Sequence, residues 1–360
     1  MEKRKDRKLT IYDIAQELGL SIASVSRALN DKEGVSEETR EYVIKKADEM
    51  GYRASQAASG LSRKGKRLIV LFPELVHDYD NEIKRGILKA LKDFEDYHLS
   101  IDIETLQNGH MAFLERIREA KQQGYHGILL IPPEGEAEFS RLLQEKGSRG
   151  IPIATLTTDV DRSCRVFSVC VNGRVAGSTA CELLCMRMNP GDKVAVVTGQ
   201  MTSSIHRNTV NGFCEELRKW DVELAGIYEH HDHPGKAYVM AEQIMKEHPD
   251  LRGLYLGTAN SVTFCNRLIQ LGYKGKLQIV ASDVFPRMME YIRSGLVFAT
   301  IFQNPYRQGY LAVKYMYEYL TGSRVFVKDE FLLEPQIVLR SNLQFYEDKL
   351  LDIMSEDVIL

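Results

Sequence analysis

No run of apolar residues in this chain approaches the ~20 needed to cross a bilayer as a helix, so a membrane-spanning role is not expected. The N-terminus leads from a basic run straight into an amphipathic segment, with no apolar stretch of signal-peptide length. A cytoplasmic location is therefore expected. The six cysteines include no CxxC pair and lie far apart, save Cys181 and Cys185 one helical turn from each other. That pair reads as small apolar packing groups rather than a bridge or metal ligands. No GxxxxGK[ST], HExxH or GxSxG occurs, so the common nucleotide-binding, zinc-protease and hydrolase signatures are missing. No catalytic set, metal or cofactor is expected.

Charge is present but unevenly placed. Over 360 residues the formal net charge is −3. Residues 1–67 carry 15 Lys and Arg against 11 Asp and Glu, leaving 32 against 39 for the remainder. A basic head on an acidic body suits a chain that meets a polyanion with one end only. The length implies two or three domains.

The head is built around Leu9 to Asn30. Thr10 can cap a helix, with Asp13 in the capping-box position, and Ile11, Ile14, Ala15 and Leu18 form one apolar stripe. Gly19 suits the residue just past a helix end. Ser21 can cap a second helix whose inward positions are Val25, Ala28 and Leu29 and whose other face carries Ile22, Ala23, Ser24, Ser26 and Arg27. Two short helices around a tight glycine turn are the helix-turn-helix, whose second helix enters the major groove. An ordinary αα-hairpin is the alternative. Ser36, Glu37 and Glu38 open a third helix, with Val43, Ala47 and Met50 closing a small core and Gly51 after its last turn.

IYDIA, then SIASVSRALN, then VSEETREYVIKKADEMGYR resemble the DNA-binding head of the lactose/galactose repressor family, without a gap from about Leu9 to Leu61. The resemblance implies DNA contacts at Thr10, Tyr12, Ser21, Ile22, Ala23, Ser24, Ser26, Arg27 and Asn30. It also implies a hinge helix over 54–66 that folds on operator DNA. Within it, Ser55 and Ala58 would meet DNA and Leu61 would wedge into the minor groove. Ala54 and Ser55 depart from the proline and asparagine usual at the hinge start. Gly60 disfavours helix by ~1 kcal/mol, which fits a segment that orders only on DNA. A plain flexible linker is the other reading of this stretch.

From Leu68 the texture alternates between strands and helices. Strand-like runs are LIVLF (68–72), SIDIETL (100–106), GILLIPP (127–133), IPIATL (151–156), VAVVTG (194–199), ELAGIY (223–228), LRGLYLG (251–257) and LQIVASD (277–283). Helices are marked by Ile83, Ile87, Leu88, Leu91 and Phe94, and by Phe113, Ile117 and Ala120. Others are expected over 136–146 and onward from Val175, Arg207, Lys236 and Asn260. Repeated β–α units imply parallel sheets covered on both faces, either in two lobes or as a (β/α)₈ barrel. From about Arg67 to Tyr346 the chain resembles the periplasmic-binding-protein-type (type I) core of the same repressor family, which implies two doubly wound α/β lobes. The crossovers are expected near Val171–Asn172, Phe302–Pro305 and Phe331. Lobe 1 would be 67–171 plus 303–330, and lobe 2 would be 172–302 plus 331–346. The head would occupy 1–53, and a tail 347–360.

In open parallel sheets ligands bind beyond the carboxyl ends of the strands. Those positions here include Glu74 to Asp80, Pro133 and Glu134, Thr157 to Asp159, Thr198 to Gln200, Thr258 to Asn260, and Ser282 with Asp283. The family resemblance implies ligand contacts at Tyr79, Thr157, Arg207, Thr258, Asp283 and Gln303. Thr258 stands where an asparagine is usual, and Thr157–Thr158 where an acid–arginine pair is usual. Glu229 to Asp232 and His233 invite a metal reading. Consecutive side chains on one loop seldom converge tetrahedrally, however, so a solvated or cleft-edge loop is expected.

The expected protein is thus a homodimeric, sequence-specific DNA-binding regulator, a repressor, on a pseudo-palindromic operator. Its effector would be a small sugar or sugar derivative. The rival is a solute-binding protein or α/β enzyme carrying a vestigial head.

Overall fold

A computed structural model describes residues 11–29, 34–50, 65–74, 77–107, 109–146, 150–323 and 326–346. Thr10, Asn30, Ser55, Ala58, Leu61, Gly51, most of the expected hinge and the expected tail lie outside the described residues.

The head contains α1 (Ile11–Leu18), α2 (Ile22–Leu29) and α3 (Glu37–Glu49). Gly19 adopts φ +62°. The Leu20 N–H then donates to the Ala15 carbonyl at 3.1 Å, a Schellman closure that ends α1 and starts the turn. The Ser21 hydroxyl accepts from the Ser24 N–H at 3.0 Å, and the Ser36 hydroxyl accepts from the Thr39 N–H at 3.3 Å, so both expected caps are made. Ile14, Ala15, Val25, Ala28, Val43 and Ala47 form the buried core, with Leu18, Leu29 and Met50 partly buried around it.

The body is two six-stranded sheets, which rules out the single barrel. The first uses β1 (Lys66–Pro73), β2 (Leu99–Leu106), β3 (Gly127–Leu130), β4 (Ile153–Leu156), β5 (Phe167–Val171) and β11 (Glu330–Leu333), in the order β11-β5-β4-β3-β1-β2. Its helices are α4 (His77–Asp93), α5 (His110–Gln122), α6 (Glu136–Lys146) and α12 (Pro305–Thr321). The second sheet uses β6 (Lys193–Thr198), β7 (Glu223–Glu229), β8 (Leu251–Gly257), β9 (Gln278–Ser282), β10 (Ala299–Phe302) and β12 (Gln336–Val338), in the order β12-β10-β9-β8-β6-β7. With it go α7 (Gly173–Cys185), α8 (Ser204–Leu217), α9 (Pro234–Glu247), α10 (Ser261–Gln270) and α11 (Pro286–Arg293).

All pairings are parallel except β10 with β12, and the central strands are apolar runs buried on both faces, as sheets covered by helices require. Leu88 shares the helical period of α4 yet is 48% exposed.

The third crossover differs from expectation. Phe331 lies inside β11, which pairs with β5 in the first sheet, so the chain crosses only after Leu333. An aromatic cluster explains the shift. The Phe331 ring lies 4.4 Å from that of Tyr315, 5.4 Å from that of Phe326 and 6.0 Å from that of Phe167, which anchors β11 to lobe 1.

Candidate functional site

In the head, Val25 and Ala28 turn into the core while Ser21, Ala23 and Arg27 are exposed and Ile22 is 43% exposed. Ser24 and Ser26 are half-buried. The side of α2 expected to meet DNA therefore offers two small apolar groups and one guanidinium about one turn further along. Tyr12 lies in α1.

In the body, the C-terminal strand ends of the two sheets enclose a cavity of about 100 Å³. Four of the six expected ligand residues line it: Tyr79, Thr157, Thr258 and Gln303. Tyr79 comes from the first turn of α4, and its hydroxyl accepts from the Gln308 side-chain amide at 3.1 Å. Thr157 ends β4 in a left-handed turn at φ +71°. The Thr258 hydroxyl accepts from the Asn260 N–H at 3.1 Å, which shapes the start of α10.

The other two expected residues lie off the cavity wall. The Arg207 side chain is exposed and donates to the carbonyls of Met201 (3.0 Å) and Thr202 (3.2 Å), closing the loop before α8 rather than entering the cavity. One residue along a helix rotates a side chain by about 100°, and it is the preceding His206 that lines the cavity. Asp283 is fully buried behind the wall rather than on it. Its left-handed φ of +64° turns it toward the crossover. There its carboxylate accepts from the Gln303 backbone N–H (2.9 Å) and side-chain amide (2.7 Å). Burial pushes the Asp283 carboxyl up to about 7, against the pull of those two hydrogen bonds. Asp283 thus positions Gln303, and Gln303 faces the cavity.

The remaining polar wall comes from Asp80, His206, Asp232, Thr209, Tyr255 and Ser282. His206 Nε2 lies 3.4 Å from the Asp232 carboxylate. Burial opposes the charge on this imidazole, but Asp232 and the Gly257 carbonyl overcome it, so its pKa is raised. Burial likewise opposes the Asp232 charge, and His206 with the neighbouring histidines holds that carboxyl below its usual value. Gly199 leaves room for the pair, because a Cβ there would collide with both side chains. His206 carries no signal in the local sequence. Asp232 belongs to the loop that invited a metal reading, and among the described residues no group of three such side chains is placed to hold a metal. His230 of the same loop is fully buried, and burial depresses its pKa to about 4, so it is neutral.

Beside the cavity a clasp joins the lobes. Glu136, the first residue of α6, accepts from Thr158 within its own lobe. From the other lobe it accepts the Ser203 hydroxyl (3.1 Å) and the Ser204 N–H (2.7 Å). The Asp159 N–H donates to the Ser204 hydroxyl at 3.2 Å.

Two family models match the chain. One described as bacterial regulatory proteins, lacI family, covers residues 10–55, and a periplasmic binding protein domain covers 68–324. Catabolite control protein A of Streptococcus mutans is 28% identical over 228 residues, 59% of this chain and 62% of that protein, so the alignment spans about three fifths of that relative. The ribose operon repressor of Bacillus subtilis is 25% identical over 85% of this chain and 90% of that protein. Among solved structures, GanP, a glucose-galactose binding protein from Geobacillus stearothermophilus, superposes with a TM-score of 0.70 at 26% identity. That match covers 78% of this chain and 99% of the other.

Proposed function

The chain belongs to the periplasmic-binding-protein-domain family and carries a lacI-family regulatory head, and from that premise we propose that it is an effector-controlled transcriptional repressor. It binds a pseudo-palindromic operator as a homodimer, and a small hydroxylated metabolite held between the lobes changes its DNA affinity. One observation carries the reading: α2 keeps Val25 and Ala28 inside and presents Ile22, Ala23 and Arg27 outward, in a chain whose other part encloses an interlobe cavity with polar side chains set among apolar ones. The effector acts by binding the DNA-competent and DNA-incompetent arrangements with different affinity.

Arg27 is the residue suited to guanine O6 and N7, a contact worth about 1–3 kcal/mol of discrimination. Arg27→Ala is expected to weaken operator binding roughly tenfold to a hundredfold more than binding to random DNA, read by fluorescence anisotropy at fixed salt. Equal weakening on both DNAs would remove Arg27 from base recognition. Leu61→Ala is expected to reduce operator bending in a circular-permutation mobility assay and to leave effector binding intact. Unchanged bending would remove the wedge.

A further inference from the structure

Within the proposed repressor reading, the chemistry of the cavity narrows the effector. Among the described residues that line it there is no lysine and no arginine, whereas two aspartates do, Asp80 from lobe 1 and Asp232 from lobe 2. Asp232 is balanced inside the wall by His206, whose imidazole stands between the Asp232 carboxylate and the Gly257 carbonyl. Two acceptors favour the charge on this imidazole, and the imidazole in turn favours the charge on Asp232, so the two groups balance each other. Asp80 has no such balance. It makes no hydrogen bond or ion pair within the described residues, and the nearby cation, Lys84, has its ammonium over the Phe72 ring at 4.9 Å. Burial consequently raises the Asp80 carboxyl to about 7, outweighing the opposite pull of Lys84.

We propose that the effector is a hydroxylated molecule bearing one protonated amine, such as an amino sugar or amino polyol, whose ammonium pairs with Asp80 while its hydroxyls meet Gln303, Thr258 and the His206–Asp232 pair. The physical reason is charge balance. A half-buried carboxyl without a counter-ion holds its proton more readily. An ammonium ligand returns the group to the carboxylate and pairs with it, whereas a hydroxylated ligand of zero charge supplies hydrogen bonds alone. Among the described residues the wall holds no lysine or arginine, so the ligand brings the cation. By the same balance, sugar phosphates and sugar acids are repelled, since among the described residues no guanidinium or ammonium lines the cavity to receive them.

This inference rests on the effector-controlled reading, and one set of measurements separates the two. Titration calorimetry on the full chain compares glucosamine, galactosamine and an amino polyol with glucose and galactose, and with glucuronate and glucose 6-phosphate. At least one amine is expected to bind tenfold or more tighter than its neutral parent, and Asp80→Asn is expected to bring that ratio close to one. Calorimetry or circular dichroism confirms that the variant folds. A neutral or anionic compound binding as tightly as its amine, or an amine preference that survives in Asp80→Asn, overturns the amine assignment. So does silence from all three sets. The repressor reading falls on a different result: operator affinity that stays constant across every compound that binds the cavity.

Discussion

Gly177→Val is expected to destabilise the second lobe by about 3 kcal/mol or more, the upper range for forcing bulk into a packed interior. Helices α7 and α8 cross at backbone contact. A Cβ at Gly177 would overlap the Thr209 carbonyl and lie 2.8 Å from the Phe213 nitrogen, and a Cβ at Gly212 would overlap the Arg174 carbonyl. The Ser178 hydroxyl ties the crossing by donating to the Gly212 carbonyl at 3.0 Å. Around it Ala180, Cys181, Leu184 and Phe213 are buried, so the helices cannot part without opening that core. The sign of the milder Gly177→Ala change is diagnostic. Helix propensity alone would make alanine better by ~1 kcal/mol, whereas the close approach makes it worse. Gly109→Ala, where no atom lies within 4 Å of the added carbon, is the control: it meets no clash and loses only the N-cap preference of glycine over alanine. Urea denaturation of the three variants decides the matter, and a stabilised Gly177→Ala would refute the steric account. Ala176 and Thr209 also line the cavity, so loosening this crossing should cost effector binding as well.

Glu136→Ala is expected to weaken effector binding tenfold to a hundredfold while changing thermal stability little. Glu136 is only 5% exposed. Burial raises its pKa against the hydrogen bonds from Thr158, Ser204 and Ser203. Two of those donors belong to the other lobe, and one is the first backbone N–H of α8, where the helix dipole favours a carboxylate. Hydrogen bonds to a charged group are worth about 1.5–3 kcal/mol each. Water takes over part of that in the open form, so a net 1.4–2.8 kcal/mol is the reasonable scale, one to two factors of ten. Because these bonds join the lobes, their loss should shift the closure equilibrium rather than unfold either lobe. Small-angle scattering should report a larger radius of gyration for the variant, and calorimetry a weaker effector. If both stay at the wild-type value, the clasp does not govern closure.

Much of this molecule is legible in its sequence. The head follows from local rules alone: apolar residues at 3.6 spacing, Ser21 and Ser36 as caps, and Gly19 in the left-handed turn, each acting over three to five residues. The buried strands from LIVLF to LQIVASD announced themselves as short apolar runs, the rule that ligands sit at carboxyl ends of strands pointed to the cavity residues Tyr79, Thr157 and Thr258, and the family resemblance pointed to Gln303. What the sequence could not decide is direction. Whether Arg207 or His206 enters the cavity depends on the phase of α8, set by its docking on α7 through Gly177 and Gly212. Asp283 looked like a ligand contact, but its left-handed backbone sends the carboxylate to Gln303, twenty residues on. The first sheet keeps Phe331 because its ring finds Phe167, Tyr315 and Phe326, which are distant in sequence or on another element. Periodicity and caps are short-range and survive in a one-dimensional reading. The pairing of His206 with Asp232, the isolation of Asp80 and the clasp at Glu136 are contacts between remote segments, and only folding brings their charges within reach of one another.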